Sequence, residues 1–396
     1  MSKLRIFNPE HDMALAFGGT NYTPTPMARR LRHDLLLLPA WISNNGEKIL
    51  SQTPDADMEW LSHINSKYGY NLGITSVQGI KNFDEIAPWG WNHYLRRRLQ
   101  LDGAKESALP SISAIDNIRT LSHRKISIDI HNRFLEAIPS LEDNTPSEFF
   151  NIDDVLDFAR KYPCAYTKAP WSSSGKGIYR ALDINGLDFT RWCSGIIKRQ
   201  GSIMCEKPLN SVQDFAMEFE CKNGKTYFIG YSIFNNDTHS SFSGGIVAST
   251  ESLHNKLISI LGNNNLLSEI RLTAINILDS IIAPHYSGYA GLDMMIYRNS
   301  HGITQINPCI ELNLRTTMGV VTSIIGNRLV SPQSHGRFNI EFHKSVISKE
   351  YINTINQNNP LKFTNDGKII SGVQFLTPLY NDSQYCAYIQ ISESSL

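Results

Sequence analysis

A small α/β unit with a parallel sheet, followed by a larger α+β unit of antiparallel strands with helices packed on it, is the architecture this sequence predicts. Three observations carry it. The chain has 396 residues, and at roughly 100 to 200 residues per domain it needs more than one small module. Over residues 1–110 short apolar runs alternate with helix-period runs, the pattern of a parallel sheet fed by helical crossovers. From 165 to 320 strand runs follow one another with one clear helical stretch among them. The expected units are 1–110, 111–330, and a β-rich C-terminal extension, 331–396, packed on the middle unit.

In the first unit, 4–7 reads as strand, 27–34 as helix, 35–39 as strand and 57–68 as helix. Residues 89–101 place Trp91, Tyr94, Leu95 and Leu99 on an amphipathic helix beside Arg96, Arg97 and Arg98, a charge run that reads as a solvated or salt-bridged face. A capped helix start is expected at 116–124, and the polar, Pro-containing stretch 139–146 reads as a connector. Next come a helix over 153–161, ended by Pro163, and a strand at 165–168 that enters a turn rich in Ser and Gly. Further strands are expected at 203–206, 215–220, 226–234, 291–297 and 302–306, with a helix over 266–283. In the tail, 338–343, 371–376 and 387–391 read as strands.

Hydrophobic residues make up 41% of the chain, enough at this length to bury a core without disulfide or metal staples. Lys plus Arg and Asp plus Glu both number 37, so no long-range field draws nucleic acid or an anionic membrane, and an anionic ligand must be held by local charge. Cysteines at 164, 193, 205, 221, 309 and 386 form no Cys-x-x-Cys pair and read as buried free thiols of a reducing compartment. Polar residues interrupt the apolar start at Asn8, and the longest apolar stretches fall well short of the roughly 20 residues that span a bilayer. A cytoplasmic protein is expected.

The sharpest local feature is Lys168 followed by Ser172, Ser173, Ser174, Gly175, Lys176 and Gly177. Small residues let backbone N–H groups approach phosphate oxygens, hydroxyls add donors, and lysines neutralise charge. The same composition also makes a hairpin turn. It is not a P-loop, because Pro170 stands where the first glycine is required. Further on, Asp293 precedes Glu311, Asn313 and Arg315, which alternate with Leu312 and Leu314 and so share one face of an extended strand. Two carboxylates and an amide oxygen suit magnesium; an alternating surface strand is the other reading. Between these features, an apolar strand ends in Glu206, Lys207, Pro208 and Leu209, with Asp214 and Glu218 following, as a strand end would meet a flat base and sugar hydroxyls.

Lysine, Ser/Gly loop, Glu-terminated strand, then Asp and Glu-x-Asn-x-Arg: this order resembles the ATP-grasp superfamily over roughly 110–325. The resemblance implies an ATP-grasp fold preceded by a small Rossmann-like α/β domain. It also implies a ligase that activates a carboxylate as an acyl phosphate and joins it to an amine or other nucleophile. Lys168 and residues 172–177 would then hold the ATP phosphates, and Arg124 would stand where the family has a first phosphate-binding Lys or Arg. Glu206, Lys207, Pro208 and Leu209 would contact adenine, and Asp214 ribose. Asp293, Glu311 and Asn313 would bind magnesium or manganese. Arg315 and Lys176 would be the catalytic cations, Arg315 facing the transferred phosphoryl or the substrate carboxylate.

The substrates implied are small molecules or peptides, with no nucleic acid and no membrane, and an oligomer is left open. A phosphotransferase of the same fold, and an inactive nucleotide-binding regulatory protein, are the alternatives. Glu10, His11 and Asp12 follow the first strand, where an open α/β sheet places its ligand crevice, and His239 lies in a Ser/Gly segment after a strand run. Both clusters are substrate-contact candidates, and both also read as loop acids, caps or turns.

Overall fold

In the computed structural model residues 2–172, 177–184, 186–236 and 242–393 are described. The N-terminal unit holds β1 (Lys3–Ile6), α1 (His11–Phe17), α2 (Pro26–Asp34), β2 (Lys48–Leu50), α3 (Pro54–Tyr68), β3 (Gly73–Thr75), β4 (Glu85–Pro88) and α4 (His93–Leu101). Its sheet runs in the order β3-β2-β1-β4 with every pairing parallel, as the alternation predicts. The expected strand at 35–39 is corrected: Leu38–Ile42 is a 3-10 helix whose five residues are all buried. An apolar run buried on all sides has no period with which to tell strand from helix, and Lys48–Leu50 takes the place beside β1. On α4, Arg96 and Arg98 pair with Glu106 and Asp102, so the arginine run is a salt-bridged face.

The second part of the chain begins with α5 (Ile112–Leu121) and α6 (Ile126–Ala137). The start expected at 116 lies inside α5, because Ser111 caps that helix by accepting from the Ala114 N–H. A small antiparallel module follows: β5 (Ser147–Phe149), α7 (Ile152–Lys161), β6 (Tyr166–Lys168), β7 (Ile178–Arg180), α8 (Leu187–Gln200) and β8 (Ile203–Glu206), with sheet order β5-β8-β6-β7. Val155, Ala159, Phe189, Cys193, Ile203 and Cys205 give this module a core of its own.

The rest is built on one nine-stranded sheet. In chain order it comprises β9 (Asn210–Lys222), β10 (Lys225–Asn236), β11 (Phe242–Val247), α9 (Thr250–Leu261), α10 (Asn264–Ile281), β12 (Gly288–Arg298), β13 (Thr304–Asn313) and α11 (Met318–Leu329). Then come β14 (His335–Phe342), α12 (Lys349–Asn358), β15 (Lys362–Phe363), β16 (Ile369–Phe375) and β17 (Tyr385–Ser392). The sheet order is β13-β12-β9-β10-β11-β14-β17-β16-β15. Phe215, Met217 and Phe219 of β9 point into a core with α6, α9 and α10, so the alternate residues, Ala216 and Glu218, face the other side. The described residues from 331 to 393 prolong this sheet, since β14 pairs with β11, rather than forming a separate layer. The N-terminal unit is tied to the end of β13 by the Thr316 N–H, which donates to the Trp89 carbonyl at 2.8 Å. All six cysteines are free, and among the described residues no helix is long and apolar enough to cross a membrane.

Candidate functional site

The floor of the site is set by strand register. Ala216 of β9, Asp293 of β12 and Glu311 of β13 stand in one cross-strand row, and Glu218, Gly291 and Asn313 stand in the next. Directly opposed residues of one face are neighbours, so the sheet forces the Asp293 and Glu311 carboxylates together. Burial, then Glu311, then Glu218 push the Asp293 carboxyl well above the usual carboxylate range. The Asn313 amide donates to Asp293 at 3.1 Å, and its oxygen accepts from Arg315 at 3.0 Å. Converging carboxylates beside an amide oxygen are a donor set that fits a hard divalent cation.

A cation wall faces this floor. The Arg124 guanidinium donates to the Ala169 carbonyl, to Ser172 Oγ at 2.7 Å and to Glu311 Oε1 at 2.8 Å. Its Nε is buried with no hydrogen-bond partner among the described residues, a donor waiting for an acceptor. Lys168 ends β6, almost fully buried, with Nζ 2.6 Å from Glu206 Oε2 on the neighbouring β8. Gly177 backs the turn: a Cβ there would lie 2.2 Å from that of Ser172.

Floor and wall enclose a cavity of about 540 Å³. It brings together Arg124, Lys168, Ser172, Glu206, Lys207, Leu209 and Asp214 with Asp293, Glu311, Asn313 and Arg315. Asp12 also lines it, but its charge is engaged: Arg315 Nε donates to both Asp12 oxygens, at 2.8 and 2.9 Å. Burial opposes ionisation of Asp12, yet Arg315, with His11 adding to it, holds its pKa below the usual carboxylate range. Arg315 is therefore the partner of Asp12, and the cation on Glu311 is Arg124.

Several predicted residues stand apart from the cavity. Pro208 and Gly177 do not line it. Glu10 is buried and paired with Arg32 at 2.7 Å. His11 is buried, and burial, against the pull of Asp12, lowers its pKa to about 4, so it is neutral at physiological pH. It lines a smaller crevice shared with Asp12, Ser172 and Asn313. The turn that tucks Gly90 against β1 packs on the His11 ring so closely that a Cβ at Gly90 would lie 2.5 Å from it. Ser173, Ser174, Gly175, Lys176 and His239 lie outside the described residues.

Sequence reasoning picked out Asn313 of the second row as a metal ligand and gave Glu218, in the same row, no role of its own. Glu218 lines the cavity together with Ser232, Thr317 and Gly319, and it is 1% exposed. Its hydrogen-bond partners lie on β10 and at the start of α11, distant in sequence. The one local signal is a carboxylate in the middle of an apolar strand.

No family model matches the sequence, and no curated protein matches it. Among solved structures the arrangement is that of the ATP-grasp fold, and the chain has that fold. It is similar to biotin carboxylase from Campylobacter jejuni in a β-γ-ATP complex, at 13% identity and a TM-score of 0.56, over 99% of this chain and 87% of that one. It is likewise similar to the biotin carboxylase domain of 2-oxoglutarate carboxylase from Hydrogenobacter thermophilus in complex with MgADP, ADP and bicarbonate, at 11% identity and a TM-score of 0.53, over 99% and 86%. A third similar structure is N5-carboxyaminoimidazole synthetase from Staphylococcus aureus with ADP, at 12% identity and a TM-score of 0.52, over 99% and 94%.

Proposed function

We propose that this protein is an ATP- and magnesium-dependent ligase that activates a carboxylate as an acyl phosphate and joins it to an amine or similar nucleophile. The observation that carries this reading is the meeting, in one cavity, of Lys168 and Arg124 with the Asp293 and Glu311 pair. That the three similar structures hold adenine nucleotides supports it.

Lys168 and Arg124 bind phosphate oxygens, which take over the places that Glu206 and Glu311 occupy on them. Asp293, Glu311 and the Asn313 oxygen would hold the magnesium, which would neutralise charge on the phosphates. Glu206, Lys207 and Leu209 receive the base at the end of β8, and Asp214 the ribose. Arg315, fixed by Asp12, presents its guanidinium beside the reacting group. Positioning and charge neutralisation supply the acceleration, and no protein nucleophile is required.

The test has two stages. A ligand at about 100 times its dissociation constant adds roughly 2.7 kcal/mol, so millimolar ATP with magnesium should raise the melting temperature. No shift overturns nucleotide binding. ATP, magnesium and hydroxylamine are then incubated with pools of amino acids, peptides and small acids. ADP with a hydroxamate identifies the ligase, whereas ADP with a stable phosphorylated acceptor identifies a phosphotransferase. Binding without ADP release across the pools leaves a regulatory nucleotide-binding module.

A further inference from the structure

Most carboxylates lining the cavity have a cation or an amide against them: Asp12 has Arg315, Glu206 has Lys168, Glu311 has Arg124, and Asp293 has Asn313. Asp214, on the same β9, accepts from Ser211. Glu218 differs from the first four, because two hydroxyls hold its carboxyl. Ser232 Oγ donates to Oε1 at 2.7 Å and Thr317 Oγ1 donates to Oε2 at 2.9 Å. Thr317 Oγ1 already accepts from the Val320 N–H as the cap of α11, so its one proton is directed at Glu218. Each carboxyl oxygen thus receives a hydrogen bond, an arrangement that favours the ionised, proton-accepting form.

The niche is shaped for this carboxyl. A Cβ on Gly319 would lie 1.9 Å from Glu218 Oε1, and one on Gly291 would lie 2.8 Å from Oε2. Neither glycine needs a positive φ here; what the positions require is the absence of a side chain. Merely anchoring two hydroxyls would not need an acid, since an amide of the same shape does so without burying a charge. The niche lies one row from the Asp293 and Glu311 pair. The same cavity is lined by Met318 of α11 and by Pro9, Leu31 and Trp89 of the N-terminal unit, an apolar surface suited to an acceptor.

We propose that Glu218 is the general base of the ligation step, taking a proton from the amine as it attacks the acyl phosphate; this rests on the ligase reading above. The amine lone pair forms the C–N bond, the C–O bond to phosphate breaks, and phosphate leaves with that electron pair. The amine proton passes to the Glu218 carboxylate and from it to the departing phosphate, which restores the base. Burial pushes the Glu218 pKa up to about 7, with Ser232, Thr317 and Arg315 opposing, and a base poised near neutrality can both take and return a proton. Charged groups facing Glu218 are Asp293 from β12 and Arg315 from the segment after β13. The groups given to it by β10 and α11 are the two hydroxyls.

The test compares wild type with Glu218→Gln, which keeps the shape of the side chain and removes the base. First, the melting shift with ATP and magnesium should be kept. Second, infrared difference spectra over a pH series should show a carboxyl group titrating near neutrality in wild type and missing from the variant. Third, with the carboxylate that yields a hydroxamate, the rate with ammonia should fall about 100-fold or more. The rate with hydroxylamine, a far better nucleophile at neutral pH, should fall much less, and the rising limb of the wild-type pH profile near neutrality should disappear. Equal losses with both nucleophiles, no loss at all, or no carboxyl titrating near neutrality overturns the proposal. If wild type yields no hydroxamate, the ligase reading falls and the base role falls with it, an outcome distinct from a working ligase indifferent to Glu218. Should Glu218→Gln not fold, Glu218→Asp, which retracts the carboxylate from the acceptor, takes its place and is read by the rates with ammonia and hydroxylamine, with the same outcomes expected and overturning.

Discussion

On the floor of the cavity, Asp293, Glu311 and Glu218 stand on strands of 11, 10 and 13 residues within the nine-stranded sheet. In the module above it, Lys168 and Glu206 stand on strands of 3 and 4 residues, in a four-stranded sheet with its own small core. The floor holds like charges together, by register, against their repulsion. The cover holds opposite charges in contact, Lys168 against Glu206 at 2.6 Å. A long sheet can be made to store electrostatic strain because its rows cannot slip without reversing every side chain. A short-stranded module keeps its geometry more cheaply, by pairing charges. Changes on the floor should therefore act on metal dependence and pH, and changes in the cover on nucleotide affinity and local stability.

The largest effect expected is that of Glu311→Gln. It keeps the shape, removes a charge from the proposed metal site, and deprives Arg124 of its carboxylate. Hydroxamate formation at fixed magnesium should fall by about a thousandfold, in the range of losses for an electrostatic group at a reaction centre, and should recover in part at higher magnesium. Unchanged magnesium dependence would move the metal elsewhere and break the contrast between floor and cover.

Next in size is the pH dependence of stability at Glu218. Its folded-state pKa of about 7 lies above its ordinary value of 4.5. The sign follows from linkage: stability is fully present below about pH 4.5 and is lost as pH rises through about 7. The shift corresponds to about 3 kcal/mol. Between about pH 5 and about pH 8, wild type should lose up to that much relative to Glu218→Gln, measured by urea unfolding of both proteins at each pH. Parallel curves would mean that the floor carries no strain at this position.

How much of this was legible follows from where each signal lies. The Glu311 and Asn313 alternation, the strand that ends in Lys168 and the parallel sheet are local patterns, and the structure reproduces the elements that bear them. Three kinds of feature were not legible. The 3-10 helix Leu38–Ile42 is buried throughout and has no period to read. Much of α11 is buried, including Val320, Val321, Ile324 and Ile325, so its apolar residues cover more than one stripe and blur the helical signal. Glu218 is set by Ser232, Gly291, Thr317 and Gly319, which only the sheet brings together. Likewise, the partner of Arg315 is Asp12, at the other end of the chain, and no spacing rule could have joined them.

In the cover, Lys168→Met should weaken ATP binding by about tenfold or more, since a hydrogen-bonded charge is worth about 1.5–3 kcal/mol. The Glu206 carboxylate, left without its cation, would add repulsion toward the phosphates. The magnesium concentration giving half-maximal rate should stay near that of wild type. Calorimetric titration with ATP at fixed magnesium, beside a magnesium titration of the rate, separates the two quantities. A loss appearing only in the magnesium titration would put Lys168 with the floor.

The smallest effect asks whether the cover is a separate unit of stability. Asn151 caps α7: its side chain accepts from the Asp154 N–H at 2.9 Å, and its amide donates to the Asp154 carboxylate at 2.7 Å. Through α7 the cap supports Val155 and Ala159 in the small core, and it touches nothing in the cavity. Removing an Asn cap costs about 1 kcal/mol, which corresponds to about fivefold faster exchange of amides released by the same opening. If the cover opens without the floor, Asn151→Ala should speed exchange about fivefold in β5, β6 and β8, with β9 and β12 unchanged and ATP affinity near that of wild type. Hydrogen exchange read by mass spectrometry on peptides from both sheets decides it. Equal acceleration in β9 and β12 would mean one cooperative unit, and the cover's charge pairs would then be held by the same sheet that strains the floor.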